Sequence, residues 1–269
     1  MRSTLMALCV SLMMVSGAVA QPTKPYGVWD LGERCVQVRE WMTFSGLPTR
    51  ADFRLARQCS EKYGIKWVLQ WGFDDPLGTP VDAEIIRVQQ KLTESGLSPH
   101  VIGNQYIEEW YGLSEATTVA DRRAVWEFGS QQQEKIKAAF PNLPIVYVDQ
   151  LVNDDPQYGA AVYMPLPRAT DIFAMEMYSG PGDYKSLLEL YFNYVKATTK
   201  IPLVLVGQGF YDDRYPMYPK PTEDYVEWYR GKLTDPRVIA GWLFTWRNRA
   251  PGTITGLISM PMVEYWFTR

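Results

Sequence analysis

The stretch Pro99-His100-Val101-Ile102-Gly103-Asn104-Gln105-Tyr106-Ile107-Glu108-Glu109 decides how this chain is read. It opens as a short apolar run and closes on two adjacent carboxylates, with Trp110 and Tyr111 directly after them. Charge is costly to place in apolar company. A glutamate pair at the end of a buried strand therefore asks for a purpose. On an extended strand successive side chains point to opposite faces. That divides the pair: Glu109 is expected in a cleft, and Glu108 behind it as support.

Working outward, similar runs recur at 26–32, 65–72, 144–150, 171–178, 202–210 and 238–246, with a weaker one at 36–44. Between them lie stretches with helical periodicity at 49–64, 82–96, 120–140, 183–199 and 222–233. Thr49 is the expected N-cap of the first, and Gly64 and Gly96 are expected stops. Short apolar strands alternating with amphipathic helices define a parallel sheet wrapped by helices. Eight strands in one domain over residues 21–269 fit a (β/α)8 barrel. An open doubly wound sheet is the alternative, but no glycine-rich phosphate loop follows the first strand.

Residues 1–20 read as a secretory signal: Arg2, an apolar run from Leu5 to Val15, and Ala18-Val19-Ala20 as a cleavage site. The expected mature chain starts near Gln21, is exported to a periplasm or beyond, and has no later span long enough for a bilayer. An uncleaved N-terminal anchor is the competing reading. Cleavage leaves Cys35 and Cys59, which can form a disulfide in an oxidising compartment or stay as two buried thiols.

The 269 residues carry a net charge of −3. They show no basic stripe, so nucleic acid is not an expected partner. No oligomer signal is visible, which leaves a monomer as the expectation. The chain has 10 Trp, 17 Tyr and a single histidine, His100. One histidine ahead of a strand excludes a Ser-His-Asp device, and no Cys/His spacing suits zinc. Neither metal nor organic cofactor is expected. Acid–base chemistry here falls to carboxylates.

In a barrel of this kind chemistry sits at the C-terminal ends of the strands. Those ends carry Asp30, Trp71, Glu108 with Glu109, Asp149, Glu176 with Tyr178, Gln208, and Trp246. Carboxylates, amides and aromatic rings suit a polyhydroxylated ligand, as they bind hydroxyls and stack on sugar faces. Asp74-Asp75-Pro76 is explained by turn chemistry alone.

At these residues the sequence resembles the (β/α)8 glycoside hydrolases and their relatives. Pro99 to Glu109 is similar to their strand ending in an acidic pair, with Glu-Glu-Trp where Asp-Glu-Pro is usual. Asp171 to Tyr178, Pro202 to Phe210, and Gly241 to Trp246 resemble three later strands, in the right order. The resemblance implies a glycosidase with Glu109 as proton donor. The second carboxylate is then Glu176, which Tyr178 shares a face with, or Asp149. An acetamido group of the substrate is a third route. Asp30, Trp71, Glu108, Asp149, Tyr178, Gln208 and Trp246 are the expected substrate-lining residues. A different register is open: in the largest clan of such barrels strand four ends Asn-Glu and strand seven in a nucleophilic Glu, so Asn104-Gln105 and Gln208 resemble those positions with both glutamates changed to glutamine. The chain would then be a sugar-binding barrel without catalysis.

Overall fold

The computed structural model describes residues 24–35, 37–72, 80–106, 119–150, 166–178, 184–212, 219–245 and 254–268. The signal segment, Asp74-Asp75, Glu108, Glu109 and Trp246 lie outside the described residues.

Eight parallel strands close into a barrel in the order β1 (Tyr26–Val28), β2 (Met42–Pro48), β3 (Lys66–Trp71), β4 (Val101–Tyr106), β5 (Ile145–Gln150), β6 (Ile172–Met177), β7 (Leu203–Gln208) and β9 (Val238–Phe244). A small antiparallel ribbon, β8 (Phe210–Asp212) with β10 (Ile254–Gly256), stands beside it. Helices α1 (Phe53–Tyr63), α2 (Asp82–Ser95), α3 (Val119–Ala139), α4 (Tyr184–Thr198), α5 (Glu223–Leu233) and α6 (Pro261–Thr268) accompany the strands. The architecture is a single-domain (β/α)8 barrel.

Strand alternation divides the apolar residues into two cores. Trp29, Phe44, Val68, Val146, Val148 and Trp242 are among those filling the barrel interior. Trp67, Trp71, Tyr147, Phe173 and Leu205 are among those on the outer face, under the helices, where Tyr229 of α5 joins them. Three pairings skip one residue each, at Thr43, Ile102 and Ile239. A skipped residue is a β-bulge, and a bulge inverts which face the following side chains occupy. In β4 it decides the site. Val101 packs outward, and after Ile102 the inward positions become Gly103 and Gln105. An added Cβ on Gly103 would meet interior Val146 at 3.5 Å.

Several local expectations change. The second strand begins at Met42, not Val36, and runs to Pro48. The chain before it turns, with Cys35 and Gln37 at positive φ. Trp41 and Arg39 are meanwhile held by Glu264 of α6: Arg39 Nε donates to Oε1 at 2.8 Å and Trp41 Nε1 at 3.2 Å. The N-cap of α1 is Asp52 rather than Thr49, since the Asp52 carboxylate accepts from the amides of Arg54 and Leu55. The left-handed C-caps at Gly64 and Gly96 stand where the sequence puts them.

Cys35 and Cys59 are joined, with Cα atoms 5.8 Å apart. The bridge fastens the turn after β1 to α1. Closing a 24-residue separation restricts the unfolded chain by about 3 kcal/mol. Reduction, or Cys35→Ser with Cys59→Ser, is expected to lower Tm by roughly 10 °C in a thermal melt. An unchanged Tm in reductant would show that the bridge is not formed.

Candidate active site

The inner face at the C-terminal ends of the strands holds amides, aromatics and one carboxylate among the described residues. Gln70 follows Val68 by two positions on β3 and points inward. Its amide lies over Gly46 of β2, where an added Cβ would come within 2.4 Å of Gln70 Nε2 and 2.7 Å of the Trp29 carbonyl oxygen. Glycine at 46 is therefore what seats Gln70. Gln70 Nε2 also donates to Gln105 Oε1 at 3.3 Å, so the two inward amides of β3 and β4 form a pair. Gly46→Ala must displace the Gln70 amide; overpacking of this kind costs about 1–3 kcal/mol. We expect a Tm lower by several degrees, and retention of wild-type Tm would contradict this seating.

Gln208, on β7, is fully buried. Its side-chain amide donates to the carbonyl oxygens of Phe210 at 2.8 Å and Pro219 at 2.7 Å. Its backbone N–H donates to Tyr225 Oη at 2.9 Å, and Tyr225 in turn donates to the Met177 carbonyl of β6. Gln208 thus locks the strand end to the segments after it, and a side chain with two N–H donors is what that lock requires.

Glu176 is the inward carboxylate. Its neighbours on β6, Phe173, Met175 and Met177, belong to the outer core, and Ala174 to the interior. Glu176 is 4% exposed. Tyr178 Oη, two residues on, donates to Glu176 Oε1 at 2.9 Å. Tyr178 also meets Phe210 edge-on at 5.4 Å and Phe244 at 6.2 Å. Phe244 lies 5.6 Å from Trp29, which lies 4.5 Å from Trp242. From Gln105 through Gln70, Trp29, Phe244 and Tyr178 to Glu176, the inner face is one continuous arc.

Not every expected residue joins it. Trp71 sits on the outer face: it is fully buried, its indole N–H donates to Asn104 Oδ1 at 3.0 Å, and its ring packs 5.5 Å from Phe140 at the end of α3. It is part of the wall and not of the mouth. Asp149 is also turned outward, accepting at 2.8 Å from Tyr147 Oη, whose ring stacks on Phe173 in the outer core. Asp149 is thereby set aside as an alternative second carboxylate. Asp30 is half-buried directly after Trp29. Glu176, Tyr178 and Gln208 lie where the strand-end reading put them. His100 closes a 3-10 turn ahead of β4, at the opposite end of the strand from the mouth; burial, with Lys66 nearby, lowers its pKa below the ordinary value. Among the described residues no cluster of three His, Cys, Asp or Glu side chains is placed to hold a metal, and no helix is long and apolar enough to cross a membrane.

The sequence reading passed over Gly46, Trp29 and Trp242. Trp242 was legible by parity, four positions before Trp246; Trp29 was not, since it stands one position from Asp30, the strand-end residue named there.

No family model matches the chain, and no curated protein matches it. Solved structures do. The Bacteroides uniformis beta-glucuronidase aligns over 84% of this chain with a TM-score of 0.58 at 14% identity. The cold-adapted beta-galactosidase from Rahnella sp. R3 aligns over 88% with a TM-score of 0.55 at 10% identity. The chain spans only 30% of the first enzyme's length and 52% of the second's. It therefore has the fold of the TIM-barrel glycoside hydrolases.

Proposed function

We propose that this protein is an exported glycoside hydrolase that cleaves a poly- or oligosaccharide by carboxylate chemistry. The observation that carries the reading is Glu176, held by Tyr178 on the inner face of the barrel mouth within an arc of amides and aromatic rings. Glycosidic hydrolysis requires one carboxyl group to protonate the leaving oxygen and a second to act as base or nucleophile. Glu176 fills the second role, and Tyr178 is its positioning residue. Glu109 supplies the acid. Its sequence position, four residues beyond Gln105 and directly before Trp110 and Tyr111, is what supports that role. Gln70 and Gln105 bind sugar hydroxyls. Export follows from the signal-like residues 1–20.

Gln105 and Gln208 support a second reading, a barrel that binds sugar without cleaving it, since amides occupy the inner ends of β4 and β7. The two separate on a panel of polysaccharides incubated with the purified mature protein. Release of reducing ends from at least one polymer is the expected result. A saturable saccharide-induced rise in Tm with no release would establish the binding protein instead, and neither response would remove both.

A further inference from the structure

Helix α4 is apolar on two sides. Leu188, Tyr191, Phe192 and Val195 are buried in the core beneath it. A second stripe, Leu187, Leu190, Tyr194 and Ala197, is exposed. Leu190 is 69% exposed, Tyr194 40% and Leu187 38%. The stripe repeats in steps of three, four and three residues, the a and d positions of a heptad, which is the seam one helix presents to another. A helix that is apolar all round is normally a buried one, and the barrel covers only one side of α4.

The charges of α4 do not interrupt this stripe. Lys185 pairs with Asp224 at 3.3 Å, Glu189 with Lys232, and Lys196 with Asp235. Trp228 Nε1 also donates to Glu189 Oε2 at 3.2 Å. Asp224, Trp228 and Lys232 belong to α5, and Asp235 follows directly after it. The three charges are thus drawn sideways onto the neighbouring helix. The other exposed positions described on α4, Ser186, Asn193 and Thr198, are neutral too. Other helices differ. α1 exposes Arg54, Arg57, Glu61 and Lys62, α2 exposes Asp82, Arg87 and Glu94, and α5 exposes Asp224 and Glu227. α6 exposes Met262 and Tyr265 but is only 8 residues long.

We propose that the outer stripe of α4 is the contact of a symmetric dimer, in which α4 of one copy packs antiparallel against α4 of a second. A two-fold axis sets a surface patch against itself. A charged strip would there meet its own charge, and a neutral strip does not. The stripe is also self-complementary about its midpoint. Reversed on itself, it sets Leu190 against Tyr194 of the second copy and Leu187 against Ala197, a large residue against a small one. A membrane surface fits less well, because helices that lie on anionic lipid keep Lys and Arg on the polar face, and here Lys185 and Lys196 are each already paired with an aspartate. The 15 residues of α4 make a helix about 22 Å long. Two such helices side by side cover roughly 1,000 Å² in total, the low end for specific association, so the dimer is a weak one with a dissociation constant of about 10–100 μM. The sequence alone suggested a monomer because Leu187-Leu188 and Leu190-Tyr191 read as one wide core face. The contact lies on the outer wall and is independent of the glycosidic reading.

The test is sedimentation equilibrium of the purified mature protein, from about tenfold below to about tenfold above that constant. The average mass is expected to rise from monomer toward dimer. Leu190→Glu and Tyr194→Lys are each expected to stay monomeric over the whole range, with Tm unchanged because both positions are exposed. Mixed in equal amounts, the two variants should dimerise again, since the antiparallel pairing sets position 190 of one copy against position 194 of the other. A wild-type protein that stays monomeric throughout overturns the proposal, and so does a dimer undiminished in Leu190→Glu. A mixture that remains monomeric overturns the antiparallel pairing. A monomeric wild type that co-sediments with phosphatidylcholine–phosphatidylglycerol vesicles, beside a Leu190→Glu variant that does not, overturns the dimer in favour of a membrane surface.

Discussion

Glu176→Gln is expected to lower kcat by about a thousandfold, with KM changed only a few-fold and Tm within a few degrees of wild type. The substitution is close to isosteric. The Gln oxygen still accepts from Tyr178 Oη, which reaches Glu176 Oε1 at 2.9 Å, so the local geometry survives. What disappears is the negative charge and the capacity to act as base or nucleophile. An interaction made only in the transition state shows itself as a loss in kcat that KM does not share. Tyr178→Phe is the companion variant. It keeps the ring contacts with Phe210 and Phe244 and removes the hydroxyl, so its expected loss is smaller, about tenfold in kcat. Wild-type turnover in Glu176→Gln would leave Glu176 as a buried structural carboxylate.

Gln208→Glu is expected to destabilise the protein by about 3–5 kcal/mol and to confer no activity of its own. A carboxylate there would set an oxygen against the carbonyl oxygens of Phe210 and Pro219, which the Gln208 amide now reaches at 2.8 and 2.7 Å. The position is fully buried, so water cannot relieve the clash of acceptors. For a protein of this size the loss corresponds to a Tm lower by roughly 10 °C, read by calorimetry at neutral pH. The result also decides how the amide at the end of β7 is understood. If it is a catalytic glutamate lost by one change, restoring it should raise activity without unfolding the barrel. If it is a lock between β7 and the segments after it, restoration harms the fold. The bonding favours the lock.

The barrel was legible because its signal is repeated: eight apolar runs, most of them followed by a helical stretch, and most of those stretches closed by a glycine or a proline. The second strand was legible only in outline. Its last four residues, Ser45-Gly46-Leu47-Pro48, carry little intrinsic strand preference and are held by neighbours on both sides. The ribbon of β8 with β10 and the helix α6 escaped because three-residue strands and an eight-residue C-terminal helix leave almost no periodic trace. Within the site, period-two alternation already placed Trp71 opposite Gln70 and Asp149 opposite Val148. Collecting strand-end residues without their parity is what brought Trp71 and Asp149 into the mouth. The bulge at Ile102 is different in kind. Without it Asn104 would face inward and Gln105 outward, and Gly103, a residue that often marks a bulge, does not say which position the ladder skips. The orientation of the β4 end is thus a property of the assembled sheet.

The most direct measurement of the central claim is the rate of reducing-end release from the preferred polysaccharide by the mature protein and by Glu109→Gln, side by side. The account predicts turnover by wild type. It predicts a rate lower by about a thousandfold in the variant, with saccharide binding retained in both. Full activity in Glu109→Gln would contradict the assignment of the acid, and saccharide binding without any release by the wild-type protein would contradict hydrolysis itself.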